Sequence, residues 1–112
     1  MIERILIRFD NDLELFLAVR AAFLQTFPDY RDRLLDADRK GDSGEMGRIS
    51  HSLKGAISNF TDELAFQIAQ ELETKVRSGD VSSAHELVSR VVAAATELND
   101  TLRAFSPGDK SA

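Results

Sequence analysis

The sequence predicts an all-α fold: an antiparallel up-down four-helix bundle with an additional N-terminal helix packed across it. Three observations lead to it. Apolar residues recur at three- and four-residue spacing along nearly the whole chain, the period of a helix with one buried face. Only two prolines occur, Pro28 and Pro107, and each stands where a helix is expected to end. Alternation of the strand type never persists beyond a few residues. Short connections between amphipathic helices then make sequential helices antiparallel neighbours.

The elements follow in order. Residues 1–8 carry the β-branched run Ile5-Leu6-Ile7, too short to assign by period. Asp10, Asn11 or Asp12 caps the first main helix, whose inner face is Leu13, Phe16, Leu17, Phe23, Leu24 and Phe27. Pro28 is expected to end that helix and to begin another. Tyr30, Leu34 and Ala37 line this short second helix, which stops near Gly41. Asp42 with Glu45 has the spacing of a capping box and opens the next helix, whose apolar stripe ends at Phe60. Thr61 or Asp62 caps the following one, with Glu63 in its first turn and Leu64, Ala65, Ile68, Leu72 and Val76 inward. Glu71–Lys75 and Glu73–Arg77 are placed outside as i,i+4 pairs. Ser78-Gly79-Asp80 is a turn, and Ser83 with Glu86 forms a second capping box. The last helix runs to about Ala104, burying Leu87, Val88, Val91, Ala94, Ala95, Leu98, Leu102 and Phe105.

Composition bounds the function. The chain has 112 residues, 43% hydrophobic and 29% charged, which suits one soluble domain over residues 1–105. Residues 106–112 are polar, contain Pro and Gly, and read as a disordered tail or linker stub. The absence of cysteine excludes disulfides, thiolate metal sites and cysteine nucleophiles. No apolar run approaches the roughly 20 residues of a membrane helix. The N-terminus is too short and too charged for a signal peptide. A cytoplasmic protein without membrane insertion is expected. The net charge is −5, with 19 acidic against 14 scattered basic residues, so a nucleic-acid partner is not expected.

The chemistry concentrates at His51. On a helix, Gly44, Gly47, Arg48, Lys54, Gly55 and Ser58 fall within roughly 60° of it. Met46, Ile49, Leu53, Ala56, Ile57 and Phe60 fall on the opposite side. Each glycine inside a helix costs about 0.8–1.0 kcal/mol relative to alanine. Gly47 and Gly55 stand one turn before and one turn after His51, as if to leave room for a second protein. Neutral imidazole is a nucleophile that titrates near neutral pH. Lys54 at i+3 can place an ammonium beside phosphoryl oxygens, and Arg48 at i−3 can act from the other side. Phosphate loops of the GxxxxGK[ST] and GxGxxG types are absent, as are a carboxylate cluster beside His51 and an HExxH motif. ATP and metal are therefore expected on a partner, and no cofactor or metal in this chain. His85 lacks a glycine flank and a partner at zinc spacing, and reads as structural or exposed.

His51-Ser52-Leu53-Lys54-Gly55-Ala56, with Phe60 nine residues past the histidine, resembles the signature of histidine-containing phosphotransfer (HPt) domains. The likeness extends over about residues 8–105, through Phe9 to Pro28, the Gly41-Asp42 turn and Leu72-Glu73 before Gly79-Asp80. It implies that His51 is a phosphoacceptor, that Lys54 neutralises the phosphoryl group and that Gly55 gives clearance. It implies a response-regulator receiver domain or hybrid sensor kinase as partner, with Mg2+ on the receiver and no autokinase activity here. Gly47, Arg48, Gly55 and Ser58 are the expected partner contacts, with Arg31 and Leu34 as candidates on the preceding helix, and the chain is expected to be a monomer. Where the family often has glycine after the position of Phe60, this chain has Thr61-Asp62. A bundle that docks receivers without transfer, and a purely structural helical protein, remain open alternatives.

Overall fold

The computed structural model describes residues 2–106; of the tail expected to be disordered over 106–112, all but Ser106 lies outside them. Five helices follow one another: α1 (Ile2–Arg8), α2 (Leu13–Lys40), α3 (Ser43–Ser58), α4 (Leu64–Arg77) and α5 (Ala84–Ala104). Among the described residues there is no strand. The long helices close a ring in which α2 packs on α3 and α5, and α4 packs on the same two. Cross-helix contacts give the directions. Arg20 of α2 reaches Leu102 of α5, whereas Asp38, further along α2, reaches His85 at the start of α5. Phe23 meets Phe60, whereas Arg33 meets Glu45. Both pairs of helices are antiparallel.

Pro28 does not break the chain into two helices as the sequence predicts; it lies inside α2. The reason is the phase of the apolar face. Phe16, Phe23, Phe27, Leu34 and Ala37 are all buried and keep one stripe straight through the proline. An interior proline costs about 3 kcal/mol. Burying a single large apolar side chain returns about 1.5–3 kcal/mol, and this stripe buries several. Pro28→Ala restores an amide donor to this helix and is expected to stabilise the domain by about 1–3 kcal/mol in urea denaturation.

The ends of α3 are fixed on both sides. Gly41 adopts φ 69°, ψ 27°, the left-handed conformation that ends α2, and the following amide of Asp42 donates to Ala37 O at 2.8 Å. The Asp42 carboxylate then accepts from the Glu45 amide at 3.1 Å, the cap that starts α3. At the far end Phe60 is buried in an aromatic cluster. Phe23 meets it edge-on at 5.4 Å, and Phe16 packs edge-on against Phe9 and Phe105, each at 5.5 Å. The α1 helix docks over this end. Ile5 is buried, Arg4 pairs with Glu63 at 2.9 Å, and Arg8 donates to Ser58 O at 2.7 Å. That last bond serves a C-terminal carbonyl of α3, which has no basic residue of its own in its last turn. Arg20 does the same for α5, donating to Leu102 O and Phe105 O at 3.2 and 2.6 Å.

Several local expectations are corrected. Among Asp10, Asn11 and Asp12 the cap is Asp12; the other two have φ 54° and 57° and make the reversal out of α1. The α4 helix starts at Leu64, with Glu63 in the cap position and no side-chain cap bond. Thr61 is buried beside Phe60, so its hydroxyl serves the turn instead, accepting from the Glu63 amide at 3.0 Å. Leu64 is 62% exposed rather than inward, because the first residue of α4 overhangs the bundle end. Ser83 occupies the cap position of α5 without the expected cap bond. Ala94 is only half-buried.

Candidate functional site

The α3 helix buries Met46, Ile49, Leu53 and Ile57 as its sequence phase requires, and Ala56 is half-buried. His51 is thereby turned outward, with a side chain 62% exposed. It is not solitary. Its Nδ1 lies 2.8 Å from Oε2 of Glu73 on α4. Lys54 Nζ lies 2.8 Å from the other oxygen, Oε1, and Arg77 Nε lies 3.2 Å from Oε2. One carboxylate, 10% exposed at its side chain, therefore holds the histidine, the lysine and an arginine together.

Glu73 is the residue that sequence reasoning missed. Its i,i+4 pairing with Arg77 is real, but its placement on the outside is wrong: it is buried. The signal was its spacing, four residues after Ala69 and three before Val76, both of which are buried. The register with α3 was not readable. It is set by the α3–α4 turn: Gly47 packs on Arg77, and one helical turn closer to the connection His51 meets Glu73.

The electrostatics follow. Burial pushes the Glu73 carboxyl up, but hydrogen bonds from Lys54 and His51 and their charge outweigh it and hold the group below its ordinary value of 4.5. Glu73 is thus a carboxylate at neutral pH, an acceptor 2.8 Å from Nδ1 that favours the tautomer with its proton on that nitrogen. In that tautomer the lone pair is on Nε2, the ring nitrogen outside this contact. Two cations against one carboxylate leave a positive charge beside it, which suits an incoming phosphoryl group.

The other expected contacts divide. A Cβ on Gly55 would meet nothing within 4 Å, so the space above it is open. Gly47 is different: it is buried under α4, with Val76 and Arg77 carbons 3.8 Å from where its Cβ would be, so its lack of a side chain lets the two helices approach. Arg48 does not flank the histidine with a free charge; its Nε is held by Glu45 Oε1 at 3.2 Å. Ser58 sits at the α1 end of α3, its hydroxyl donating to Gly55 O at 2.6 Å. Leu34 is completely buried and is no contact candidate. Arg31 remains partly exposed over the Phe27 ring, its guanidinium carbon 5.9 Å from the centroid. His85 is 87% exposed, with Nδ1 2.7 Å from Asp38 Oδ2. Among the described residues no group of three or more His, Asp or Glu is placed to hold a metal ion, and no helix is long and apolar enough to cross a membrane.

Comparison with known families follows the same line. The family model for the Hpt domain matches residues 18–105. No curated protein and no solved structure matches the chain.

Proposed function

The chain belongs to the Hpt domain family, whose members take part in histidine phosphotransfer and interact with receiver domains in phosphorelays, and we propose that His51 is its phosphoacceptor. The observation that carries this reading is the His51 Nδ1–Glu73 contact, which leaves Nε2 as the free nucleophile. In the proposed reaction Nε2 attacks the phosphorus of a receiver's aspartyl phosphate. The P–N bond forms as the P–O bond to the aspartyl carboxylate breaks, and that carboxylate leaves. The phosphorylated ring is cationic while Nδ1 keeps its proton, and Glu73 stabilises it. Lys54 leaves Glu73 for the phosphoryl oxygens, an exchange that keeps Glu73 partnered by His51 and Arg77. Mg2+, expected on the receiver, would screen the acyl phosphate from that side.

Incubation with a phosphorylated receiver domain tests this: acid-labile label is expected on the wild-type chain, and none ever appearing would overturn it. Gly55 supplies a second check. Gly55→Ala is expected to raise stability by about 0.8–1.0 kcal/mol, because its Cβ enters open space while the helix propensity improves. Gly55→Trp is expected to fold, yet to transfer at least about 10-fold more slowly because the partner is held off. Thermal melts and transfer rates on the two variants measure both arms.

A further inference from the structure

One turn from His51, between the N-terminal half of α3 and the end of α4, lies an open groove of about 290 Å3 lined by Ser43, Gly44, Gly47, Arg48, Val76 and Arg77. Gly44 and Gly47 line it on the α3 side. Arg48 Nη1 stands 3.7 Å from the Cβ position of Gly44, and Arg77 Cγ and Nε stand 3.8 and 3.9 Å from that of Gly47. Each arginine is tethered through Nε to a glutamate of its own helix, Arg48 to Glu45 and Arg77 to Glu73. Among the described residues no other hydrogen bond or ion pair engages either guanidinium. Their terminal nitrogens keep donors for another molecule.

The Arg48 tether is not needed to hold Glu45. Arg33 of α2 already grips Glu45 Oε2 through Nε and Nη2 at 3.3 and 3.0 Å. Glu45 therefore biases a mostly exposed guanidinium toward the groove edge, which lowers part of its ordering cost before a partner arrives. Two guanidinium groups beside one groove, each with terminal donors left over, suit the planar, bidentate recognition of a carboxylate.

We infer that this groove receives a carboxylate side chain of the docking receiver domain, and that Arg48 helps to select which receiver docks. The inference rests on His51 being the phosphoacceptor. The acidic side chain borders the receiver's acceptor site and lands one helical turn from the reacting nitrogen. Contact there adds to docking and does not enter the chemical step.

The experiment measures phosphotransfer from a phosphorylated receiver domain to the wild-type chain, Arg48→Ala and Arg48→Glu, across ionic strength. Expected for Arg48→Glu is a KM raised about 10-fold at low salt with kcat within about twofold, the gap narrowing as salt screens the contact. Arg48→Ala, in which Arg33 still holds Glu45, is expected to show the same split to a smaller degree. Lysine in place of the receiver's acidic residue is expected to restore the KM of Arg48→Glu. Unchanged KM and unchanged salt dependence in both variants overturn the inference while leaving the role of His51 standing. No uptake by the wild-type chain overturns that role, and this inference with it.

Discussion

His51→Gln is expected to abolish phosphoryl uptake completely while leaving the fold intact. The glutamine amide nitrogen is conjugated with its carbonyl and is not a nucleophile, so no P–N bond can form. The fold is spared because the side chain is exposed and because Glu73 keeps Lys54 and Arg77 when it loses the imidazole. Stability is expected to change by no more than about 0.5 kcal/mol, the usual scale for exposed positions. Acid-labile label after incubation with a phosphorylated receiver, read beside a urea melt, measures both. Label on the variant equal to wild type would mean that another residue accepts the phosphoryl group.

Glu73→Leu is expected to slow transfer by about 10- to 100-fold, the scale on which the loss of a histidine's orienting partner acts at metal sites. Without the carboxylate, Nδ1 no longer has a fixed acceptor. The imidazole then samples the tautomer in which Nε2 carries the proton and has no lone pair to offer. Lys54 and Arg77 lose their anchor together and turn to solvent. Glu73→Gln separates orientation from charge. Its amide oxygen can still accept from Nδ1–H, but it no longer offsets the charge of Lys54 and Arg77. It is expected to recover part of the lost rate, whereas a purely structural role predicts rates that follow stability alone.

The same residue gives a pH signature. Its carboxyl in the folded protein lies below 4.5, the ordinary value. The stabilisation it contributes is therefore fully present above about pH 4.5 and is lost as pH falls through the folded value. Denaturant unfolding at pH 3–7 is expected to show this loss in the wild type and a flatter dependence in Glu73→Leu. An equal slope in both would mean that other carboxylates carry the acid sensitivity.

The all-α class, the phase of the α3 stripe and the outward direction of His51 depend on local periodicity, and the sequence alone determined them. Met46, Ile49, Leu53 and Ile57 go inward by their spacing, and His51 follows to the outside. The Asp42 cap and the Gly41 stop were equally local. Local rules failed where distant residues compete with them. A proline that ends helices in isolation is carried inside α2 by the burial of Phe23, Phe27 and Leu34 on either side of it. Thr61 and Ser83 have cap-forming side chains, yet neither makes a helix cap bond. Gly47, which the helical wheel places near His51, is covered because α4 packs over that edge of α3.

The site divides along the same line. His51 and Lys54 stand one turn apart on one helix, so spacing alone brings them together. Glu73 is 22 residues away from His51, and the pair forms only when α3 and α4 settle into one antiparallel register. Periodicity fixes which face of a helix is apolar, because burial of that face depends on the helix's own sequence. It does not fix which residue of the next helix lies opposite, because that depends on the length of the turn and on how two apolar faces interlock. The nucleophile was written in the sequence; the carboxylate that aims it was decided by packing.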